Sequence, residues 1–415
     1  MRIDNALTIR ILLFMLIGMF FGMLLNALVV YGIDVDDINK VLVVAGDVFL
    51  SLLEMLVIPV VFVSLVSTIC GIGRFYAVSH VRLKVFKWFV ITTLCASLIA
   101  IFIAGFFRVG SILYLDLAST YSFANDFNLS FWQIIDYMIP HNPIQALAEG
   151  NMLQIVVFAV LFGIVINVAG GHGKRIATFF HDLNIIGIRT VALFMRLVPY
   201  GVFCLVAVLF AQKGVALILG MLEYFVAVIF VLFLHTILTY STILSMFRFS
   251  PKIFFQKIYS VMLFAFNTSS SSAAMPMMLD TVEHKLGVNR SIASLVVPLG
   301  ININKNGTAI MQIVATIFIA NIYHVQIGLA GYAILTMMVM FMSIGTVGAP
   351  GLGLITLIMV LRQLGLPIEG IALVIGVERL LDMVRSSVNV AGNAMVSCLV
   401  GKSLRQLDQN VYHKP

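Results

Sequence analysis

Charge is scarce in this chain: only 10% of its 415 residues are Asp, Glu, Lys or Arg, against 61% hydrophobic ones. Soluble domains carry about 25% charged residues, so an ordinary soluble domain is excluded by what is missing. Cysteine is scarce too. Cys70, Cys95, Cys204 and Cys398 lie in or beside apolar stretches without CxxC spacing, which argues against a metal ribbon or a disulfide framework and for small membrane-buried side chains. The chain has no HExxH, no P-loop and no dinucleotide fingerprint, so none of the chemistries those motifs mark is signalled. Its net charge of +7 sits in short loops. No basic run is long or interleaved with aromatics, and nucleic acid is not an expected partner.

What is present is apolar length. Runs long enough to span a bilayer occur near 9–31, 48–72, 86–108, 152–170, 187–211, 220–245, 289–322 and 367–400. The first lacks a small-residue cleavage site and reads as a retained helix, not a signal peptide. Basic residues alternate sides. Arg2 and Arg10 precede the first run, and the acidic Asp34, Asp36 and Asp37 follow it. Arg74, Arg82, Lys84 and Lys87 follow the second, Lys174 and Arg175 the fourth, Arg248, Lys252 and Lys257 the sixth, and Lys402 and Arg405 the last. The positive-inside rule then predicts eight spans in the inner (plasma) membrane with both termini cytoplasmic.

Three segments break this pattern. Asn267–Pro276 places four serines and a proline in an apolar stretch flanked by Lys257 on one side and His284 and Lys285 on the other. Such residues suit the tip of a hairpin that enters and returns better than the middle of a spanning helix. Gly345–Gly353, rich in glycine and containing Pro350, is a second such tip, on the opposite side by topology. Asn302–Thr308 puts three amides, Lys305 and Gly307 inside the seventh run, which predicts an unwound middle with free carbonyls. Two interrupted hairpins entering from opposite faces beside a polar helix point to an inverted-repeat secondary transporter with its site near the midplane.

That polar helix is the last run. With Asp382 as zero and about 100° per residue, Glu378, Arg385, Ser386, Asn389 and Asn393 fall at about −40°, −60°, +40°, −20° and +20°. A water-facing stripe is the alternative, but the apolar flanks 371–377 and 394–400 leave nowhere for water. Ionisable side chains at membrane depth line a protein interior or a cavity, which makes this stripe a candidate substrate site. An intramembrane hydrolase built on Ser269–Ser272 fails for lack of a nearby base. A selective channel would want repeated rings of like residues, and none is visible.

At these motifs the chain resembles the glutamate transporter family, the dicarboxylate/amino acid:cation symporters. The matching elements are the serine-rich tip Ser269–Pro276, the NxxGT break Asn304–Thr308, the GxPG tip Gly348–Gly351, the DxxR[ST]xxN helix from Asp382 to Asn389, and a second-helix pattern over Gly46–Pro59. The resemblance implies an all-α polytopic membrane protein: eight transmembrane helices plus two re-entrant helical hairpins in inverted repeats, assembled as a homotrimer in the lipid bilayer. It implies an elevator, with scaffold helices in 1–85 and 111–217 and a transport domain in 86–110 and 218–415. The substrate positions it implies are Ser270, Ser271, Thr308, Gly348, Ala349, Gly351, Asp382, Arg385, Ser386 and Asn389. Arg385 would pair with a side-chain carboxylate, Asp382 would accept the amino group, and Asn389 would hold the α-carboxylate region. Both charges together favour L-aspartate or L-glutamate; a C4-dicarboxylate has no amine for Asp382, and a neutral amino acid would leave Arg385 unpaired.

The family's cation positions fall on Thr92, Thr93, Asn302, Asn304, Lys305, Asn306, Ser343, Thr346, Glu378 and Asn393. Sodium-coupled members read NMDGT and NxxGD; here Asn306 and Asn393 replace both aspartates and Lys305 replaces the methionine. Two Asp→Asn changes and one Met→Lys add three positive charges, matching the three sodium ions that the family pattern implies. The expectation is a carrier without a cofactor that is sodium-independent, working by uniport, exchange or proton linkage. The alternatives are a sodium symporter with weakened sites and a C4-dicarboxylate carrier. Phe89 stands in place of a tyrosine, and Glu54 stands where a basic residue is common.

Overall fold

The computed structural model describes residues 2–73, 79–111, 138–214, 216–345 and 352–413. Among them every regular element is helical, and one isolated bridge pairs Val288 with Leu407. The chain opens with three long apolar helices, α1 (Arg2–Val30), α2 (Asp36–Gly73) and α3 (Ser79–Phe106). The short α4 (Pro143–Glu149) is capped by the Asn142 side chain, which accepts from the Ile144 and Gln145 N–H groups. There follow α5 (Met152–Val168), α6 (Gly170–Phe194), α7 (Val198–Lys213) and α8 (Ala216–His235), the last running through a π-helical turn, Thr236–Tyr240, into α9 (Ser241–Met246).

Two sequence expectations need correction here. The apolar run 187–211 is not one helix: α6 stops at Phe194, and α7 restarts with Pro199 in its first turn, where a missing N–H costs nothing. Lys174 and Arg175, expected in a loop, lie in the first turns of α6.

Five described helical stretches are long and apolar enough to cross a membrane: Ile9–Val30, Asp36–Gly71, Leu83–Phe106, Gly170–Phe194 and Leu217–Met246. Many of their large side chains, such as Leu13, Phe20 and Val44, are exposed on the outside of the fold, as a lipid-facing surface requires. The remaining expected spans fall short for identifiable reasons. The 17 residues of α5 make only about 25 Å of helix. The run 289–322 is divided into α12 (Arg290–Ile303) and α13 (Asn306–Ile322), and the last run, α16 (Ile371–Ser403), is long enough but charged in its middle. Between these lie α10 (Pro251–Thr268), α11 (Met275–Asp280), α14 (Leu329–Gly345) and α15 (Leu352–Gln363).

The packing separates into two groups of neighbours. α1 lies along α7, and α2 lies against α5, α6 and α7. α16 runs through the centre of the second group, ringed by α8, α10, α12 and α13, while α13 also packs on α3. α14 and α15 touch α2, and there Glu54 Oε2 meets Arg362 Nη2 at 3.4 Å. Glu54, unusual for its position, thus has a cation from α15.

The α1–α7 contact depends on missing side chains. A Cβ at Gly18 would stand 2.8 Å from the Phe203 carbonyl oxygen, and one at Gly22 would stand 2.7 Å from Phe210 Cβ. Gly22→Leu should therefore force α1 off α7 and destabilise the protein by about 1–3 kcal/mol. Gly105→Ala, where nothing lies within 4 Å, should be neutral or gain up to about 1 kcal/mol. Thermal unfolding of detergent-purified variants checks this; equal midpoints for the two would contradict the packing.

Candidate functional site

The seventh apolar run is broken at two residues. α12 ends at Ile303, Asn304 and Lys305 take non-helical backbone angles, and α13 starts at Asn306. The unwound stretch is narrower than the 302–308 expected. Asn302 is helical and donates to the Pro298 carbonyl at 3.1 Å, and Gly307 and Thr308 belong to the first turn of α13.

The break is held by side chains from three other helices and from the π-helical turn before α9. Thr93 Oγ1 on α3 donates to Asn306 Oδ1 at 2.9 Å, and Thr92 Oγ1 lies 3.3 Å from Asn304 Oδ1. Asn306 Nδ2 donates to the Tyr240 hydroxyl at 3.0 Å, and that hydroxyl donates to the Val388 carbonyl of α16 at 3.2 Å. The Lys305 N–H donates to Ser343 Oγ on α14, which passes its own proton to the Ile303 carbonyl at 3.0 Å. The Gly307 N–H donates to Asn389 Oδ1 at 2.8 Å. Lys305, Asn304, Asn306 and Thr308 are all buried.

The serine-rich segment forms a turn between α10 and α11. Ser269 ends α10 in the left-handed region, at φ 47°, and α11 restarts with Pro276 in its first turn. Ser270 Oγ accepts from the Ala273 N–H at 3.2 Å, and Ser269 and Ser271 are buried. Thr346, Gly348, Ala349 and Gly351 lie outside the described residues.

On α16, Glu378, Asp382, Arg385, Ser386, Asn389 and Asn393 are all buried, as the flanking apolar turns demand. Arg385 Nη2 donates to Asp382 Oδ1 at 2.5 Å, and Nη1 lies 3.5 Å from Glu378 Oε1 and 3.5 Å from Met311 Sδ. A fourth charge belongs to this cluster. Arg379 Nη1 stands 3.6 Å from Asp382 Oδ2, and its side chain is 8% exposed. Helical spacing could have found it, since three residues before Asp382 is about +60°, just beyond the +40° edge of the stripe. Tyr240 was equally unremarked and has no such signal, because its partners are 66 and 148 residues away in sequence.

The cluster is enclosed by glycines. A Cβ at Gly307 would stand 3.0 Å from Arg385 Cγ, and one at Gly353, near the start of α15, 2.8 Å from Glu378 Oε1. Lower on α16, Asn393 Nδ2 donates to the Val297 carbonyl at 2.8 Å while its Oδ1 has no partner and faces Gly300. Asn304 Nδ2 is likewise without a partner, against Gly392. Asp382 and Arg385 therefore face each other inside a dry shell, and Arg379, Glu378 and Lys305 complete the ionic set.

The sequence matches the sodium:dicarboxylate symporter family over residues 7–403. The chain belongs to that family. It is a transporter family, so the protein is a multi-pass carrier and not an enzyme. Among its relatives, the C4-dicarboxylate transport protein of Bacillus subtilis is 28% identical, over 99% of this chain and 96% of that protein. The proton/glutamate-aspartate symporter of Escherichia coli K12 is 29% identical, over 95% and 93%. The C4-dicarboxylate transport protein of Rhodospirillum rubrum is 31% identical, over 90% and 85%.

The link from α9's preceding turn to the helix break is testable alone. Tyr240→Phe removes one hydroxyl, takes from Asn306 Nδ2 its acceptor in a buried place, and leaves the Val388 carbonyl with its helical bond alone. It should destabilise the protein by about 1–3 kcal/mol, read as a lower unfolding midpoint. No change would show that the tyrosine does not hold the break.

Proposed function

We propose that this carrier transports acidic amino acids, L-aspartate or L-glutamate, and that it does so without sodium. The observation that carries the substrate assignment is the pairing of a buried carboxylate with a buried guanidinium on one helix, Asp382 with Arg385. An acidic amino acid is the complement of that pair: its side-chain carboxylate suits the fork of Arg385 and its ammonium suits Asp382. Substrate would exchange one internal ion pair for two, with the α-carboxylate left to the amide of Asn389. A C4-dicarboxylate, which the names of two relatives specify, is the second reading; it would leave Asp382 facing a second carboxylate. Ser270, Ser271, Thr308, Ser386 and Asn389 would line the rest of the pocket, together with Gly348, Ala349 and Gly351.

The coupling reading rests on the donor set. One family carboxylate position, Asn306, lies at the helix break and the other, Asn393, on α16; both are amides, and at the break the oxygens of Asn304 and Asn306 already face the hydroxyls of Thr92 and Thr93. Lys305, between the two asparagines in the chain, is buried as they are. Sodium favours carboxylate oxygens and is repelled by a close ammonium, so this set does not fit the ion. Asn393 Oδ1, against Gly300, offers one neutral acceptor, which alone is too little to hold a cation. Among the buried side chains of α16 and the break, three basic groups (Lys305, Arg379 and Arg385) stand against two acidic ones (Glu378 and Asp382), an imbalance that an anionic substrate would reduce. Transport would then run as uniport, exchange or proton linkage. A sodium symporter with weakened sites is the reading that the family's description favours.

Movement would be of the elevator type in a homotrimer. The grouping of contacts into an α1–α2–α5–α6–α7 set and a set around α16 supports two bodies, meeting where α2 touches α14 and α15 and where α1 and α7 touch α16.

Binding of L-aspartate and succinate to the purified carrier tests the substrate. Arg385→Ala should abolish L-aspartate binding. Asp382→Asn should weaken L-aspartate by about tenfold or more, equivalent to about 1.4 kcal/mol, and succinate far less. Equal losses for both ligands would assign a dicarboxylate carrier instead.

A further inference from the structure

We infer that Arg379 is a positioning residue that makes the carrier discriminate in favour of substrates bearing an ammonium group; this rests on the acidic amino acid reading above. Arg379 and Arg385 stand three residues before and three residues after Asp382, about 60° to either side of it on α16. Each addresses a different oxygen. Arg385 holds Oδ1 at 2.5 Å, and Arg379 faces Oδ2 at 3.6 Å. All three side chains are at least nine-tenths buried. A guanidinium in such a place adds no stability that a well-packed apolar side chain would not match, because its desolvation offsets its ion pair. Its presence calls for a reason in function.

The reason lies in what Arg385 must do. Its Nη2 is committed to Asp382 and its Nη1 faces Glu378. To take a substrate carboxylate, Arg385 has to release Asp382 Oδ1. A carboxylate held from one side only would follow its guanidinium and remain an internal competitor for it. Held through Oδ2 by Arg379, Asp382 stays in place when Arg385 turns away, and the freed Oδ1 becomes the acceptor for the substrate ammonium. A substrate without an amine leaves that oxygen alone in a dry site, which costs affinity. Arg379 thus fixes the acceptor that tells aspartate from succinate without touching either.

The role separates from a structural one by the ratio of two affinities. The test measures L-aspartate and succinate binding to the intact carrier and to R379Q, R379M and R379K. In R379Q and R379M, neutral side chains of similar reach, L-aspartate should weaken by about tenfold while succinate changes by less than about threefold, so the preference collapses. R379K, which restores a cation three residues before Asp382, should recover the preference to within about threefold of the parent. A preference retained by either neutral variant, or equal losses for both ligands, overturns the inference. Two neutral variants guard against one failing to fold, which thermal unfolding reveals. If the parent carrier itself binds succinate as tightly as L-aspartate, the acidic amino acid reading falls; if the parent prefers L-aspartate and the neutral variants do too, only the role of Arg379 falls.

Discussion

Charges placed where water cannot reach them must be satisfied from within the protein, and much of this structure follows from that requirement. α16 carries Glu378, Arg379, Asp382 and Arg385 within eight residues, all buried. Two carboxylates and two guanidinia alternate so that each acid meets an arginine one or two turns away. The helix can hold this set only because its neighbours close over it. Gly307 and Gly353 bring the backbones of α13 and α15 to the edge of Arg385, and Met311 covers the remaining face of its guanidinium.

The same requirement shapes the helix break. Unwinding Asn304 and Lys305 frees backbone groups that cannot be left unpaired in a dry interior. Ser343 takes the Lys305 N–H, Asn389 takes the Gly307 N–H, and threonines of α3 meet the asparagine oxygens. α3, α13, α14 and α16 are thereby tied to one point. Carboxylates there would need cations; amides with an ammonium need none. On the sodium-independent reading proposed above, Asn306 and Lys305 let the break hold itself together, and the excess of basic side chains is left for the substrate to meet.

Much of this was legible in the amino-acid order. Spacing placed the acids, amides and Arg385 on one stripe, apolar flanks put that stripe indoors, and the glycine and asparagine content marked the interrupted run. The misses have physical causes. The apolar run from 187 to 211 conceals a helix end because hydrophobic content is continuous across it, and Pro199 alone marks the restart. The unwound stretch was overestimated because asparagine's poor helix propensity is overridden by its partners: Asn306 gains the distant Thr93 and Tyr240, and Asn302 a local carbonyl one turn back. Arg379 was legible by the same arithmetic as its neighbours. Tyr240 was not, since its role exists only once α9 and its preceding turn meet α13 and α16.

The central claim is that fixed charge has taken the place of mobile cations. Coupling between an ion and a substrate is reciprocal, so a carrier that needs no sodium must bind its substrate equally well without it. The direct measurement is a titration of L-aspartate against the purified protein in sodium-free choline chloride, repeated in sodium chloride at the same ionic strength. The account predicts dissociation constants that agree within about threefold. Tightening by sodium of about tenfold or more, equivalent to about 1.4 kcal/mol of coupling, would contradict it.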